Sequence, residues 1–310
     1  MTTGELFALP RMRPLDVIAA FDIGSNSIKM SVGRRDPDGT IREILVQAET
    51  TRLGAGIETT GRLAEASVDA SLDALRRFIS LSRQFGASRF VGVATEAVRV
   101  AANGAEFLAT MQNELGLEIV TISGDEEARL TFAGLPEALR GSGSILVADI
   151  GGASTELIAA TDGQVDVAVS YQIGSGRFTD RFVPSNPPSP RELQDVKVAA
   201  FSAVNVDQWP PACDKLLIVG GTGEYLRVLL GHDWPAKFEE LQPLLDELTK
   251  VPSTSLASRI STSESRARVL PAGIAMVAAL AELSVPDELH GAPSGIRLGL
   301  LQSAFGESRQ

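Results

Sequence analysis

Along the chain, apolar residues fall into two periodicities, and one order of elements is written twice. Residues Ala20–Met30, AFDIGSNSIKM, read as an apolar strand ending on Asp22, then Ile23, Gly24, Ser25, Asn26 and Ser27, then a second apolar run. Residues Ala148–Leu157, ADIGGASTEL, repeat the plan after the apolar run Ile145–Ala148, with Asp149 followed by Gly151, Gly152, Ala153 and Ser154. Downstream, Ile28–Gly33 and Thr155–Ala160 read as second strands. Each is closed by an Asp-Gly turn signal, Asp38-Gly39 and Asp162-Gly163, that leads into a third strand. Two halves of this kind predict two similar α/β lobes facing one another, with a ligand between the two turns.

The other elements fill in around these hairpins. Val68, Leu72, Leu75 and Ile79 form a helical stripe ending near Gly86. Arg89–Thr95 reads as a buried strand feeding a short helix, and Asn103 with Glu106 has the spacing of a capping box. Glu118–Ile122 is the next predicted strand. Ser123 and Glu126 form a second capping box, opening a helix that Leu130–Leu139 continues. The Gly/Ser-rich joint Arg140–Ser144 then divides the chain into lobes 1–139 and 140–310. In the second lobe Val183–Arg191, with four prolines, must be irregular, and Glu192–Val204 is a polar-faced helix. Leu216–Val219 is a strand, and Gly220-Gly221-Thr222-Gly223 opens a helix. Pro271 suits the first turn of a buried helix over Leu270–Leu283, and Ile296–Phe305 closes the chain as a helix.

The chemistry lies in the two turns. Glycines permit the close backbone approach of a turn over a phosphate, and successive N–H groups there form an anion nest. Asp22 and Asp149, at the mouths, are placed to hold a hard cation such as Mg²⁺ that bridges carboxylates to phosphate oxygens. Glu126 has a structural task as the N3 partner of Ser123. Glu127 has none, and it stands at the positive end of a helix.

Composition narrows the setting. A chain of 310 residues fits two lobes, and the single Cys213 excludes both an intrachain disulfide and a Cys-based metal site. Met1–Pro14 has no signal-like apolar core, and the longest apolar-rich stretch, Gly273–Leu283, is short and contains Glu282. The expectation is a soluble cytoplasmic protein with no membrane partner. A net charge of −11 argues against nucleic acid as a partner. An anionic substrate is then drawn by a local positive field inside a cleft. His232 and His290 have no metal-ligand companions and read as structural.

Six ordered segments, DIGSNS, ATEAVRVAAN, SGDEEARL, ADIGGASTEL, VGGTGEYL and RVLPAG, resemble the Ppx/GppA phosphatases, the exopolyphosphatases and guanosine pentaphosphate phosphohydrolases. The resemblance runs from about Val17 to about Phe305. It implies two ribonuclease-H-like lobes with mixed sheets, the architecture of actin, Hsp70 chaperones and sugar kinases. It also implies metal-assisted phosphoanhydride hydrolysis: Asp22 and Asp149 position Mg²⁺, Glu127 is the catalytic base, and Arg99 with Gly24–Ser27 and Gly151–Ser154 binds phosphate. Arg52, Arg177, Gly220, Gly221 and Thr222 are expected toward the substrate or nucleoside end. The chain departs from the family in lacking a Tyr…His-Gly segment over Trp234–Ile260, and at Arg268 and Leu298. The substrates implied are inorganic polyphosphate or guanosine pentaphosphate, and a homodimer is a candidate assembly. Rivals of other classes are a kinase of the same fold, which needs an acceptor, and a non-catalytic sensor that turns nothing over.

Overall fold

The computed structural model describes residues 16–292 and 295–307; the segment Met1–Pro14 lies outside them. Among the described residues, ten strands form two five-stranded sheets. In the first, β1 (Val17–Ile23), β2 (Ser27–Arg35), β3 (Ile41–Thr50), β4 (Arg89–Ala94) and β5 (Val120–Thr121) take the order β3-β2-β1-β4-β5. In the second, β6 (Ser144–Ile150), β7 (Thr155–Thr161), β8 (Gln164–Tyr171), β9 (Cys213–Val219) and β10 (Pro286–Ala292) repeat that order as β8-β7-β6-β9-β10. The first three strands of each sheet are antiparallel, and the rest join in parallel through helical crossovers. These are the two mixed-sheet lobes expected from the duplicated hairpins.

Both central strands are buried on both faces. In β1, Ala19, Phe21 and Ile23 meet Leu72, Leu75, Phe78 and Ile79 of helix Glu65–Gln84, as the apolar stripe predicted. On the opposite face Ile18 and Ala20 meet Leu301, Ala304 and Phe305 of the last helix, Ile296–Glu307. In β6, Leu146, Ala148 and Ile150 join the core containing helix Glu264–Ser284, while Ile145 and Val147 pack with Ala128 and Phe132 of helix Gly124–Ala133. Two helices therefore cross over: one preceding the second sheet in sequence covers that sheet, and the chain's last helix covers the first. They also touch each other, since a Cβ at Gly299 would stand 2.1 Å from the carbonyl oxygen of Leu130. Only glycine allows that approach.

Several local expectations are corrected. Asn103 precedes helix Gly104–Thr110 but makes no side-chain cap; its Oδ1 accepts from the Leu63 amide and its Nδ2 donates to the Leu63 carbonyl. The helix opened by Ser123 stops at Ala133, and a separate turn, Glu137–Arg140, follows Pro136. Pro271 lies inside a helix that begins at Glu264, because Ser263 caps it a turn and a half earlier than the proline suggested. That helix has 21 residues and is long and apolar enough to cross a membrane, yet 83% of its most apolar window is buried within the protein. Arg268 donates to the Val183 carbonyl and Leu298 packs beside the β1 cluster.

Candidate active site

The duplicated hairpins build two turns of one geometry. Gly24 donates to the Ser27 carbonyl at 3.2 Å, and Gly151 donates to the Ser154 carbonyl at 3.0 Å. The turns meet: a Cβ at Gly152 would lie 2.7 Å from that of Asn26, so glycine is required there. Between them lies a cavity of about 50 Å³, walled by Asp22, Gly24–Ser27, Lys29, Thr95, Glu127, Asp149, Gly151–Ser154, Glu156 and Arg266. It has room for several waters.

Strand register delivers the carboxylates. Asp22 ends the even-numbered face of β1 and Asp149 the odd-numbered face of β6, the faces that the crossing helices cover. Helix Gly124–Ala133 then brings two side chains one turn apart to the second sheet. Thr131 donates to Asp149 Oδ2 at 3.1 Å, and Glu127 lines the cavity. The predicted capping box is formed: Glu126 accepts from the Ser123 amide at 2.8 Å, and Ser123 Oγ accepts from the Glu126 amide at 3.2 Å. Adjacent helical residues point about 100° apart. Glu126 is thus turned to solvent and Glu127 inward, 5% exposed, with Oε2 lacking any protein partner.

Charge is crowded here. Burial, and then the carboxylates of Glu156, Asp22 and Asp149, push the Glu127 carboxyl up to about 10, with Arg99 acting the other way. Burial and then Asp149 raise Glu156 to about 8, against hydrogen bonds from Ser170 and Ser154. Asp149 is also raised, by burial first, with Lys29 opposing. Lys29 Nζ stands 3.8 Å from Asp22 Oδ2, and Arg266, its pKa lowered by burial, reaches across from the second lobe to donate to Ser27 Oγ at 3.0 Å.

No three His, Cys, Asp or Glu side chains among the described residues converge into a metal cage. Two aspartates facing one cavity are nonetheless the donor set Mg²⁺ uses, completed by water and substrate phosphate rather than by further protein ligands. The raised carboxyls and the unpartnered Glu127 oxygen mark the place as short of positive charge. The residues present fit a hard divalent cation.

The remaining candidates divide. Arg99 is held by Glu96 and donates to the Ile122 carbonyl at 2.7 Å, beside the cavity rather than in its wall. Arg52 and Arg177 line a second cavity of about 220 Å³ beyond Asn26 and Gly152. Gly220 and Gly221 line a third, of about 530 Å³, on the side of Lys29 and Arg266, with Tyr225, Glu224 and Arg297. Thr222 is buried and closely faces Gly273 instead. Sequence reading passed over Glu156, Lys29 and Arg266. The first two were legible, because each lies seven residues past its aspartate and so directly across the hairpin.

A sequence model of the Ppx/GppA phosphatase family matches residues 32–307. Among solved structures, a Ppx/GppA family member from Aquifex aeolicus is 26% identical over 96% of this chain and 100% of its own, with a TM-score of 0.77. Another structure of an Aquifex aeolicus PPX-GPPA enzyme is 28% identical over 94% of this chain and 100% of its own, with a TM-score of 0.76. An exopolyphosphatase from Cytophaga hutchinsonii, 20% identical over 94% and 98%, shares the fold with a TM-score of 0.86.

Proposed function

This chain belongs to the Ppx/GppA phosphatase family, and from that premise we propose that it is an exopolyphosphatase, removing terminal orthophosphate from inorganic polyphosphate. The observation that carries the reading is the unpartnered carboxylate oxygen of Glu127 in a cavity walled by two matching phosphate turns. A sensor that turns nothing over has no need of a buried carboxylate there, and a kinase would have to set an acceptor hydroxyl against it.

In this reading the backbone amides of the two turns, with Lys29 and Arg266, hold the terminal phosphate. Thr131 and Lys29 fix the rotamers of Asp149 and Asp22, the residues that would hold a divalent cation. When bound, that cation supplies the positive charge that the crowded carboxyls and the phosphate oxygens lack. Glu127, once ionised, accepts the proton of the attacking water. Ser170 and Ser154 orient Glu156, whose carboxylate, once ionised, raises the basicity of Glu127. Most of the acceleration comes from positioning and charge neutralisation.

A second reading, hydrolysis of guanosine pentaphosphate, draws support from the third cavity. It has room for a nucleoside, and Tyr225 stands in its wall. Orthophosphate release with Mg²⁺ from long polyphosphate, short polyphosphate and guanosine pentaphosphate, side by side, decides between them. Release from polyphosphate is expected. Release from pentaphosphate alone selects the second reading, and release from none leaves the sensor.

A further inference from the structure

Charged side chains are concentrated in the wall of the cavity beyond Asn26, where Glu58 and Asp180 face three arginines. Arg52, Arg177 and Arg181 all line it, although the protein as a whole carries a net charge of −11. Ser25, Asn26, Gly152 and Ala153 line both it and the catalytic cavity, so the two adjoin at the turns. In that shared wall Asn26 is 8% exposed, and its Nδ2 has no hydrogen-bond partner. A buried amide donor without an acceptor costs free energy comparable to a lost hydrogen bond, and it marks where a ligand oxygen belongs.

The arginines are held ready rather than consumed. Arg52 pairs with Asp180 at 3.3 Å and Arg177 with Glu58 at 2.5 Å, both across the cleft between lobes. The acids are about half exposed, at 54% and 53% for their side chains, while the Arg177 side chain is only 12% exposed. An entering polyanion can therefore take over the guanidinium groups while the two acids turn outward into water. Among the described residues no aromatic side chain lines this cavity, whereas Tyr225 lines the third.

We propose that these residues form a subsite for the body of an inorganic phosphate chain: the terminal phosphate lies in the catalytic cavity, the second passes Asn26 Nδ2, and later ones meet Arg52, Arg177 and Arg181. This rests on the polyphosphate reading and adds the direction of the chain, away from the Tyr225 cavity. Arginine is suited to the task, because its planar fork pairs with phosphate oxygens two at a time.

The test measures binding by calorimetry with Mg²⁺ in Glu127→Gln protein, using pyrophosphate and long-chain polyphosphate as probes, and turnover in otherwise wild-type protein. Arg52→Ala and Arg181→Ala are each expected to weaken long-chain binding roughly tenfold, the scale of a charge-assisted hydrogen bond, and to leave pyrophosphate within about twofold. Asn26→Ala should weaken both probes. Asp180→Asn and Glu58→Gln should tighten the long chain a few-fold, a gain that a misfolded variant cannot give. Equal effects of the arginine changes on both probes, or none on either, overturn the subsite. So does a loss of guanosine pentaphosphate binding, titrated in the same way as a third ligand, without a loss of long-chain binding. Absence of polyphosphate turnover in the wild type would instead sink the reading of the reaction, and the binding measurements would still decide the subsite.

Discussion

Lys29 and Glu156 occupy the same place in the two lobes: each lies directly across its hairpin from the cavity aspartate, Lys29 from Asp22 and Glu156 from Asp149. The repeat thus sets a cation beside one aspartate and a second acid beside the other. Unbalanced negative charge gathers on the second lobe, where helix Gly124–Ala133 adds Glu127.

That imbalance gives the cation-free protein an unusual pH dependence. The Glu156 and Glu127 carboxyls are raised to about 8 and about 10, from a reference of 4.5. As pH rises from about 5 to about 8, the unfolded chain has released protons that the folded chain still holds, so stability falls with rising pH. In chelator, Tm should drop by several degrees across this window, and Glu156→Gln should flatten the drop. Calorimetry at stepped pH checks this, and a Tm that climbs over the same range contradicts it.

Glu127→Gln should reduce phosphate release by about 10²–10⁴-fold, the usual loss of a general base, with no fall in Tm. Glu126→Gln should do far less, since glutamine still caps. Equal losses in the two variants, measured as initial rates at saturating substrate, would refute the division of labour between these neighbours.

Activity should vanish in excess chelator and return with Mg²⁺. Asp149→Asn keeps an oxygen for the Thr131 hydroxyl but removes a buried charge from a crowd of carboxylates. A loss of at least about 10²-fold in rate, without loss of metal-free stability, is the expected pairing. Full activity of this variant removes Asp149 from the metal role.

Gly299→Ala should be destabilising although it lies in a helix. Replacing a helical glycine ordinarily gains about 0.5–1 kcal/mol. Here the new Cβ would stand 2.1 Å from a backbone oxygen, and overpacking of that kind typically costs about 1–3 kcal/mol. A denaturant midpoint higher than that of the wild type would show that the two crossing helices tolerate more separation than their contact implies.

Much of this was legible because it is local. The paired turns, the strand order around them and the Ser123–Glu126 cap follow from periodicity and from residue types at fixed offsets. Asn103 misled because its side chain found the Leu63 backbone, a partner 40 residues away, in place of its own helix. Arg266 was hidden for a similar reason: its cavity contact is with Ser27, 239 residues earlier. The departure at Arg268 drew the eye instead, and that side chain only steadies the Val183 carbonyl.

The crossing of the two helices also governs how the molecule is made. Synthesis from the N-terminus delivers the whole of the first sheet early, but the helix that seals one of its faces, Ile296–Glu307, follows only after every strand of the second sheet. Until then Ile18 and Ala20 lack their cover, and the Glu127 helix waits for a sheet not yet translated. Contacts of such long sequence separation form slowly and leave apolar surface open to aggregation meanwhile. A chain cut before Ile296 therefore leaves one face of the first sheet without its helix.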